Sequence, residues 1–183
     1  MNSIKQIEVL LADRLVGRLA LTKEGLCAFE YAPDWLGSGF SISPFELPLR
    51  SGVFIAKPRP FEGGFGVFDD CLPDGWGLLI LDRYLQQKGI NPRALTLLDR
   101  LALVGSSGRG ALEFRPDHSV VTRQDYADFE KLALEAERIL DSDEYKGEGI
   151  EEFQDRGGSP GGARPKIFAR YEGKEWLVKF RAK

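Results

Sequence analysis

The stretch IEVLLADRLVGRLALTKEGLCAFEY, residues 7–31, decides what kind of fold this chain has. In and just after it, apolar residues alternate with polar or small ones over three segments: 7–13, 14–22 and 26–32. A period of two is typical of half-buried strands. Gly17 and the Lys-Glu-Gly segment at 23–25 are predicted bends. The stretch therefore predicts three consecutive strands at the start of a β-sheet.

Downstream of this stretch, the sequence predicts both strands and helices. Apolar residues recur at helical spacing over 74–88, where Asp74 can cap the helix and Gly89 can end it. The other predicted elements are strands at 52–58 and 110–116 and helices at 92–104 and 123–140. This order predicts an α+β protein in which helices pack on a mixed β-sheet.

Composition and charge narrow the class of protein. A chain of 183 residues with 43% hydrophobic content can bury the core of one ordinary domain. The small net charge of -3 gives no global indication that the chain binds nucleic acid or an anionic membrane. Cys27 and Cys71 lack the spacing of metal ligands and are predicted to be reduced and buried, which favours the cytoplasm.

The composition changes between residues 141 and 165, which are acidic and then rich in glycine and proline. A linker or mobile loop is predicted there. Regular structure resumes in PKIFARYEGKEWLVKF, residues 165–180, as two strands joined by a tight turn. A lone hairpin is marginally stable, so this one is expected to pack on the preceding domain or on a further part of the protein.

The stretch GGSPGGARPK, residues 157–166, followed by Lys179 could handle phosphate. Glycines let backbone N–H groups surround an anion, and a lysine on a following strand can reach the phosphates. Lys179 lies among apolar residues and is expected to need an anionic partner. The stretch matches neither a Walker P-loop nor the usual kinase loop. From composition, a phosphate loop and a flexible linker both stay open.

Several motifs in this order resemble HipA-like toxin kinases, the serine/threonine kinases of bacterial type II toxin–antitoxin systems. They are WL at 35–36, FELPL at 45–49, FDDCLPDGWGLLILDRYL at 68–85, LLDRLALVGSSGRGALEFRP at 97–116, SPGGARPK at 159–166 and WLVKF at 176–180. The resemblance implies that residues 1–120 are the N-terminal accessory subdomain of that family. Residues 121–183 would then hold a helix, the glycine-rich loop and a β-hairpin that begins a kinase-like N-lobe.

The resemblance also implies roles for individual residues. The positions that match ATP-binding residues of the family are Gly161, Gly162, Ala163, Lys166 and Lys179. Ser159 matches a serine whose phosphorylation expels the loop and silences the kinase. The catalytic lobe of the family would follow Lys179, so we expect no catalytic residue and no metal site in this chain.

Cofactors and partners follow from the same resemblance. The intact kinase would use ATP and Mg²⁺, with neither bound tightly by this fragment alone. Its partners would be a helix-turn-helix antitoxin (HipB-like) and a protein substrate, for which the best-known family members use an aminoacyl-tRNA synthetase. DNA would be reached only through the antitoxin, and no membrane is involved.

Other interpretations stay open alongside this one. The chain could be a non-catalytic regulatory or antitoxin-like module beside a split kinase, or an isolated nucleotide-binding domain. Asp69, Asp70 and Asp74 could bind a metal, although a helix cap and solvated turn is the preferred interpretation. The GSSGRG segment at 105–110 resembles an anion nest, and a turn that leads into a strand is preferred.

Overall fold

The structure is a computed structural model that describes residues 4–119, 128–142, 147, 149–156 and 162–181. The chain forms two compact units. The first comprises Met1–Leu72 and Leu95–Ser119, and the second comprises Pro73–Ala94 and Val120–Lys183.

The regular elements of both units bear out the α+β class predicted from the sequence. The strands are β1 Gln6–Leu11, β2 Arg14–Leu21, β3 Cys27–Tyr31, β4 Val53–Ile55, β5 Leu112–Arg115, β6 Lys166–Tyr171 and β7 Lys174–Lys179. The helices are α1 Pro33–Ser38, α2 Gly66–Asp69, α3 Gly75–Gln87, α4 Leu97–Val104, α5 Phe129–Asp141 and α6 Gly149–Arg156.

Strands β1 to β5 form one antiparallel sheet in the first unit, in the order β4-β3-β2-β1-β5. The three strands predicted at the start of the chain are confirmed as β1, β2 and β3. Ile7, Leu19 and Phe29 lie directly opposite one another across these strands, and all three are buried. The alternation of apolar residues in the sequence therefore identifies the side chains on the face of the sheet that covers the core.

An aromatic cluster fills the core beneath this sheet. The Phe68 ring of α2 lies 5.5 Å from the Phe29 ring and 6.4 Å from the Phe114 ring, measured between centroids. Trp35 of α1 is also buried, and its indole N–H donates to the carbonyl oxygen of Phe40. Each ring buries a large apolar area in a tilted or edge-on arrangement. The cluster attaches the short helices α1 and α2 to the sheet.

The prediction that Gly17 is a bend is wrong, because this residue lies inside β2. The turn between β1 and β2 is at Ala12 and Asp13, whose φ angles of 48° and 61° are left-handed. A Cβ on Gly17 would lie 2.3 Å from the carbonyl oxygen of Glu30. Glycine is needed here because the backbone of β3 comes so close.

The helix predicted over 92–104 is wrong in its first half. Pro92–Ala94 form a short 3₁₀ turn, and α4 begins only at Leu97 because Thr96 caps it. The Thr96 hydroxyl accepts a hydrogen bond from the Asp99 N–H, and the Asp99 carboxylate accepts one from the Thr96 N–H. This reciprocal capping box satisfies donors that the first turn leaves unpaired.

Asp99 also attaches the N-terminal end of the chain to α4. Its buried carboxylate accepts a hydrogen bond from the Ile4 N–H at 3.0 Å and another from the Thr96 hydroxyl at 2.7 Å. Burial raises the pKa of Asp99, but these hydrogen bonds and the nearby His118 lower it by more. The pKa of this carboxyl therefore lies below its ordinary value.

We expect Asp99→Asn to destabilise the first unit by about 2 kcal/mol at pH 7, because an amide must turn its NH₂ group toward an N–H or O–H donor. The pKa of Asp99 is lower in the folded state than in the unfolded state, where it is about 3.9. The carboxylate therefore stabilises the folded protein fully at pH values above about 3.9. This stabilisation is lost as the pH falls through the folded-state pKa. The variant should therefore lose less stability on acidification than the parent protein. Urea unfolding between pH 7 and pH 3 measures both effects, with exposed Asp34→Asn as the control. Equal acid sensitivity in the parent and the Asp99 variant would contradict the assignment.

The candidate anion nest at 105–110 holds a carboxylate of the same unit. Asp117 accepts hydrogen bonds from the N–H of Ser106 at 3.0 Å and from its hydroxyl at 2.6 Å. Burial raises the pKa of Asp117, but hydrogen bonds from Ser106 and Ser119 lower it below its ordinary value. The segment is therefore a turn closed by Asp117, in agreement with the preferred interpretation.

Gly105, where this turn leaves α4, has a φ of 50°, and a Cβ there would lie 1.8 Å from Oδ1 of Asp117. We expect Gly105→Ala to cost about 2 kcal/mol or more, from backbone strain and displacement of Asp117. Gly110→Ala is the matched control, because open space surrounds that position, and its effect should stay within about 0.5 kcal/mol. Thermal and urea unfolding compare the two, and similar losses would refute the role of Gly105.

In the second unit, α3, α5 and α6 pack with the β6–β7 hairpin around a core of its own. Its buried apolar residues include Trp76, Ile80, Leu132, Ile139, Ile150, Phe153, Ile167 and Phe180. The helix predicted over 74–88 is confirmed as α3. The helix predicted over 123–140 is confirmed as α5 from Phe129 onward, and its first residues lie outside those described.

The prediction of a linker or mobile loop over 141–165 is wrong for residues 149–156, which form α6. Ile150 and Phe153 are three positions apart, so they share one helix face, and both are buried. The average composition of residues 141–165 is dominated by glycine, proline and acidic residues. It therefore did not indicate a short helix with only two apolar positions.

Residues 73–94 belong to the second unit because Trp76 and Ile80 of α3 lie in its core. Apart from residues 73–94, the boundary between the two units along the chain falls between residues 119 and 120. This position is next to the division predicted from the sequence. As a statement about subdomains, the division into 1–120 and 121–183 stays a prediction.

Both cysteines are free thiols, with Cys27 buried and Cys71 half-buried. Burial raises the pKa of each thiol to about 11, and for Cys71 the Asp70 charge adds to this effect. Such thiols stay protonated near neutral pH and are poor nucleophiles.

Candidate functional site

The structure describes the glycine-rich stretch from Gly162 onward. Gly161, predicted to bind ATP, and Ser159, predicted to be phosphorylated, lie outside the described residues. The other predicted ATP-binding residues are described: Gly162, Ala163, Lys166 and Lys179. They lie on or just before the β6–β7 hairpin of the second unit.

The backbone of Gly162 is held by the start of α3. Its N–H donates to Oδ1 of Asp74 at 3.0 Å, and its carbonyl oxygen accepts a hydrogen bond from the N–H of Trp76 at 3.1 Å. The φ of Gly162 is 99°, a conformation that favours glycine. The last glycine of the stretch is therefore fixed by hydrogen bonds to two residues at the start of α3.

Gly75 allows the two segments to come this close. A Cβ on Gly75 would lie 2.5 Å from the carbonyl carbon and 2.7 Å from the carbonyl oxygen of Gly162, so no other residue fits without a shift. The φ of Gly75 is 46°, which also favours glycine. The Asp-Gly-Trp sequence thus supplies an acceptor, a close approach and a donor in three consecutive residues.

Lys166 lies under the same carbonyl group. The residue is only 5% exposed, and its Nζ donates to the carbonyl oxygen of Gly162 at 3.0 Å. We call the contacts of Asp74, Gly75, Trp76 and Lys166 with Gly162 the Gly162 anchor. The anchor joins the glycine-rich stretch to α3 on one side and to β6 on the other.

Lys179 faces the same side of the hairpin as Lys166. The two residues are directly opposite partners at the open end of the β6–β7 pair, and partners in an antiparallel pair point to one face. Lys179 itself is exposed, and so are its strand neighbours Trp176 and Leu177. The buried lysine of this hairpin is therefore Lys166, whereas the sequence draws attention to Lys179.

The charge of Lys166 responds to its surroundings. Burial lowers the pKa of this ammonium, the positive charges of Lys179 and Arg164 lower it further, and the carboxylate of Asp74 raises it. The net pKa lies below the ordinary lysine value. The charges that act on Lys166 are thus two cations and one carboxylate, and this excess of positive charge favours anions.

Sequence reasoning found the lysines and glycines of this region but missed what Asp74 does. It assigned Asp74 to the cap of α3, whereas its side chain makes no capping hydrogen bond within the helix and accepts from Gly162 instead. The available signal was Gly75, because a glycine directly after the cap weakens a helix and needs another reason.

We expect Gly75→Ala to destabilise the second unit by about 1 kcal/mol for its left-handed backbone and by a further 1–3 kcal/mol, roughly, for the collision with Gly162. Gly89→Ala is the matched control: its φ of 74° is also left-handed, but nothing lies within 4 Å of its added Cβ. Urea unfolding, combined with hydrogen exchange at the α3 and β6 amides, separates the two contributions. If both variants lose the same stability, the close approach at Gly75 does not matter.

Two features are absent from the residues that the structure describes. Among the described residues, no three or more His, Cys, Asp or Glu side chains are grouped so that they could hold a metal ion. Within the same described ranges, no helix has the length and apolar character needed to cross a bilayer.

Comparison with known proteins identifies the family. The family model described as HipA N-terminal domain matches residues 7–115. The chain therefore belongs to the HipA N-terminal domain family. The first unit, with its five-stranded sheet, provides most of the matched residues.

A solved structure has a similar fold over a longer part of the chain. It is the complex of the Shewanella oneidensis MR-1 toxin–antitoxin system HipA, HipB and its operator DNA, which matches with a TM-score of 0.54 at 23% sequence identity. The match covers 93% of this chain and 37% of the chain in that complex. The likeness is one of fold, and it extends beyond residue 115 into the second unit.

Proposed function

We propose that the chain is the N-terminal part of a HipA-like serine/threonine kinase toxin of a type II toxin–antitoxin system. The intact kinase would use ATP and Mg²⁺ to phosphorylate a protein substrate, such as an aminoacyl-tRNA synthetase. One observation carries this proposal: Lys166 and Lys179 form a cationic pair on the hairpin face next to the anchored end of a glycine-rich stretch. Membership of the HipA N-terminal domain family supports it.

The residues of this face suit a nucleotide triphosphate. Phosphoryl transfer is catalysed mainly by positioning and by neutralisation of charge, and ATP supplies the transferred group. Exposed Lys179 can reach a phosphate as a point charge, and Arg164 adds positive charge nearby. Gly162 and Ala163 present backbone at close range, because neither carries a large side chain.

Other parts of the reaction are not assigned to this chain. We assign no Mg²⁺ ligand to this chain, because the resemblance places the acidic residues that would hold the ion in the catalytic lobe after Lys179. We propose no catalytic residue among residues 1–183. The chain alone is expected to be inactive and to bind nucleotide weakly.

We propose that the intact kinase is regulated by phosphorylation and by a partner protein. Ser159 would be phosphorylated, and this modification would displace the glycine-rich loop and silence the kinase. A helix-turn-helix antitoxin would bind the protein in the cytoplasm and connect it to DNA. The Shewanella complex, which contains HipA, HipB and operator DNA, supports such an assembly.

Lys179→Met in the full-length gene product tests the nucleotide site. We expect it to weaken binding of a non-hydrolysable ATP analogue at least tenfold, roughly 1.4 kcal/mol, because a phosphate loses its cationic partner. Lys174→Met, at the other end of β7, is the matched control and should bind as the parent protein does. Calorimetric titration measures both. Unchanged affinity in the Lys179 variant would remove this residue from the site, and no binding by the parent protein would refute the proposed function.

A second candidate function is a non-catalytic regulatory or antitoxin-like module that acts beside a split kinase. The observation in its favour is that the family match ends at residue 115, before the glycine-rich stretch. Co-expression distinguishes the two proposals. A regulatory module would copurify with a kinase subunit and suppress its toxicity, whereas a kinase toxin would itself be toxic and be neutralised by its antitoxin.

A further inference from the structure

The first turn of α3 contacts the chain on both sides of residues 157–161. On the C-terminal side, Asp74 and Trp76 hold the backbone of Gly162 through two hydrogen bonds. On the N-terminal side, the ring of Phe153 in α6 packs edge-on against the ring of Trp76, with centroids 5.1 Å apart. Trp76 and Phe153 are both buried, so this packing is part of the core of the second unit.

The Phe153 ring extends this contact to the hairpin. It also packs edge-on against Phe180, which directly follows Lys179, with ring centroids 5.9 Å apart. Phe180 donates its N–H to the carbonyl oxygen of Pro165, immediately before Lys166. The segments that carry the two lysines are therefore connected to the start of α3 through apolar packing as well as through hydrogen bonds.

Asp74 differs from the other members of the Gly162 anchor because it acts in two ways. Its Oδ1 accepts the hydrogen bond from the Gly162 N–H, which fixes geometry. Its negative charge also lies close enough to Lys166 to favour the ammonium form, against the charges of Lys179 on β7 and Arg164 before β6. An asparagine could keep the first role but not the second.

We propose that Asp74 is a positioning residue of the nucleotide site: it holds the end of the glycine-rich loop through Gly162, whose carbonyl oxygen is bonded to Lys166. The proposal rests on the proposed function, since it concerns the same phosphate-binding face. Asp74 acts through Gly162 and Lys166 and is not itself a phosphate ligand, because its own negative charge would repel one. It would thereby make the nucleotide affinity depend on the first turn of α3.

The geometric role is tested without nucleotide, by hydrogen exchange at the Gly162 amide. Asp74→Ala removes the acceptor and should speed this exchange about tenfold, as expected for loss of a hydrogen bond to a charged group. Asp74→Asn retains an acceptor and should keep most of the protection. Asp70→Asn, an exposed aspartate in the first unit, is the control and should change nothing.

The electrostatic role is tested by pH titration of the Lys166 side chain, followed through its ¹³Cε resonance. Both Asp74→Asn and Asp74→Ala should lower the pKa of Lys166, because each removes the charge that raises it. Lys179→Gln should raise the same pKa by removing a positive neighbour. A role confined to packing would leave the titration of Lys166 unchanged in Asp74→Asn.

The consequence for ligand binding is tested in the full-length gene product with a non-hydrolysable ATP analogue. Asp74→Ala should weaken binding about tenfold, roughly the effect of the lost hydrogen bond. Asp74→Asn should bind the analogue nearly as well as the parent protein at neutral pH. As the pH is raised, both proteins should lose affinity, and the variant should do so at a lower pH. This shift follows from the lowered pKa of Lys166, and a general loss of stability would not produce it.

The outcomes separate this inference from the function on which it rests. Parent-like Gly162 exchange and Lys166 titration in the Asp74 variants would overturn the inference, whatever the nucleotide result. Altered exchange and titration with unchanged analogue affinity would also overturn it, because the anchor would then not position a ligand. Failure of the parent protein to bind the analogue would overturn the proposed function and the positioning role together, while the ligand-free measurements would still decide whether the anchor exists.

Discussion

The backbone of Gly162 is the point on which the second unit depends. Its N–H and carbonyl oxygen are bonded to Asp74, Trp76 and Lys166, which come from two different elements. Gly162 is itself exposed, so these three contacts, and not burial, determine where the glycine-rich stretch ends. A phosphate-binding loop needs one fixed end if its N–H groups are to converge on a ligand.

The apolar core supplies the rigidity behind these hydrogen bonds. Trp76 belongs to that core and also donates its N–H to Gly162, so a polar contact and an apolar contact share one residue. At the start of β6, the polar and the apolar contact come from two adjacent residues. The ammonium of Lys166 is buried beside a carbonyl oxygen, and Ile167 packs in the core. Alternation along β6 makes this possible, because successive side chains point to opposite faces of the hairpin.

Much of the fold could be predicted from local patterns, and the failures have physical causes. The strands β1 to β3 and the helices α3 and α5 could be predicted from the spacing of apolar residues, because that spacing indicates one buried face. Helix α6 was missed because a helix of eight residues with two buried apolar positions carries too weak a signal. Gly17 was misread because a glycine in a turn and a glycine under a neighbouring strand look alike in sequence.

Sequence alone was sufficient for the α+β class, the strand and helix periods, and the resemblance that singled out Gly162, Lys166 and Lys179. Tertiary structure decided that Lys166 is buried and Lys179 exposed although both face one side of the hairpin, because this depends on which residue other segments cover after folding, and Gly162 contacts Lys166. It also decided that Asp74 bonds to Gly162 instead of capping its own helix. The two residues are 88 positions apart, and no local pattern contains a contact that exists only once the chain has folded.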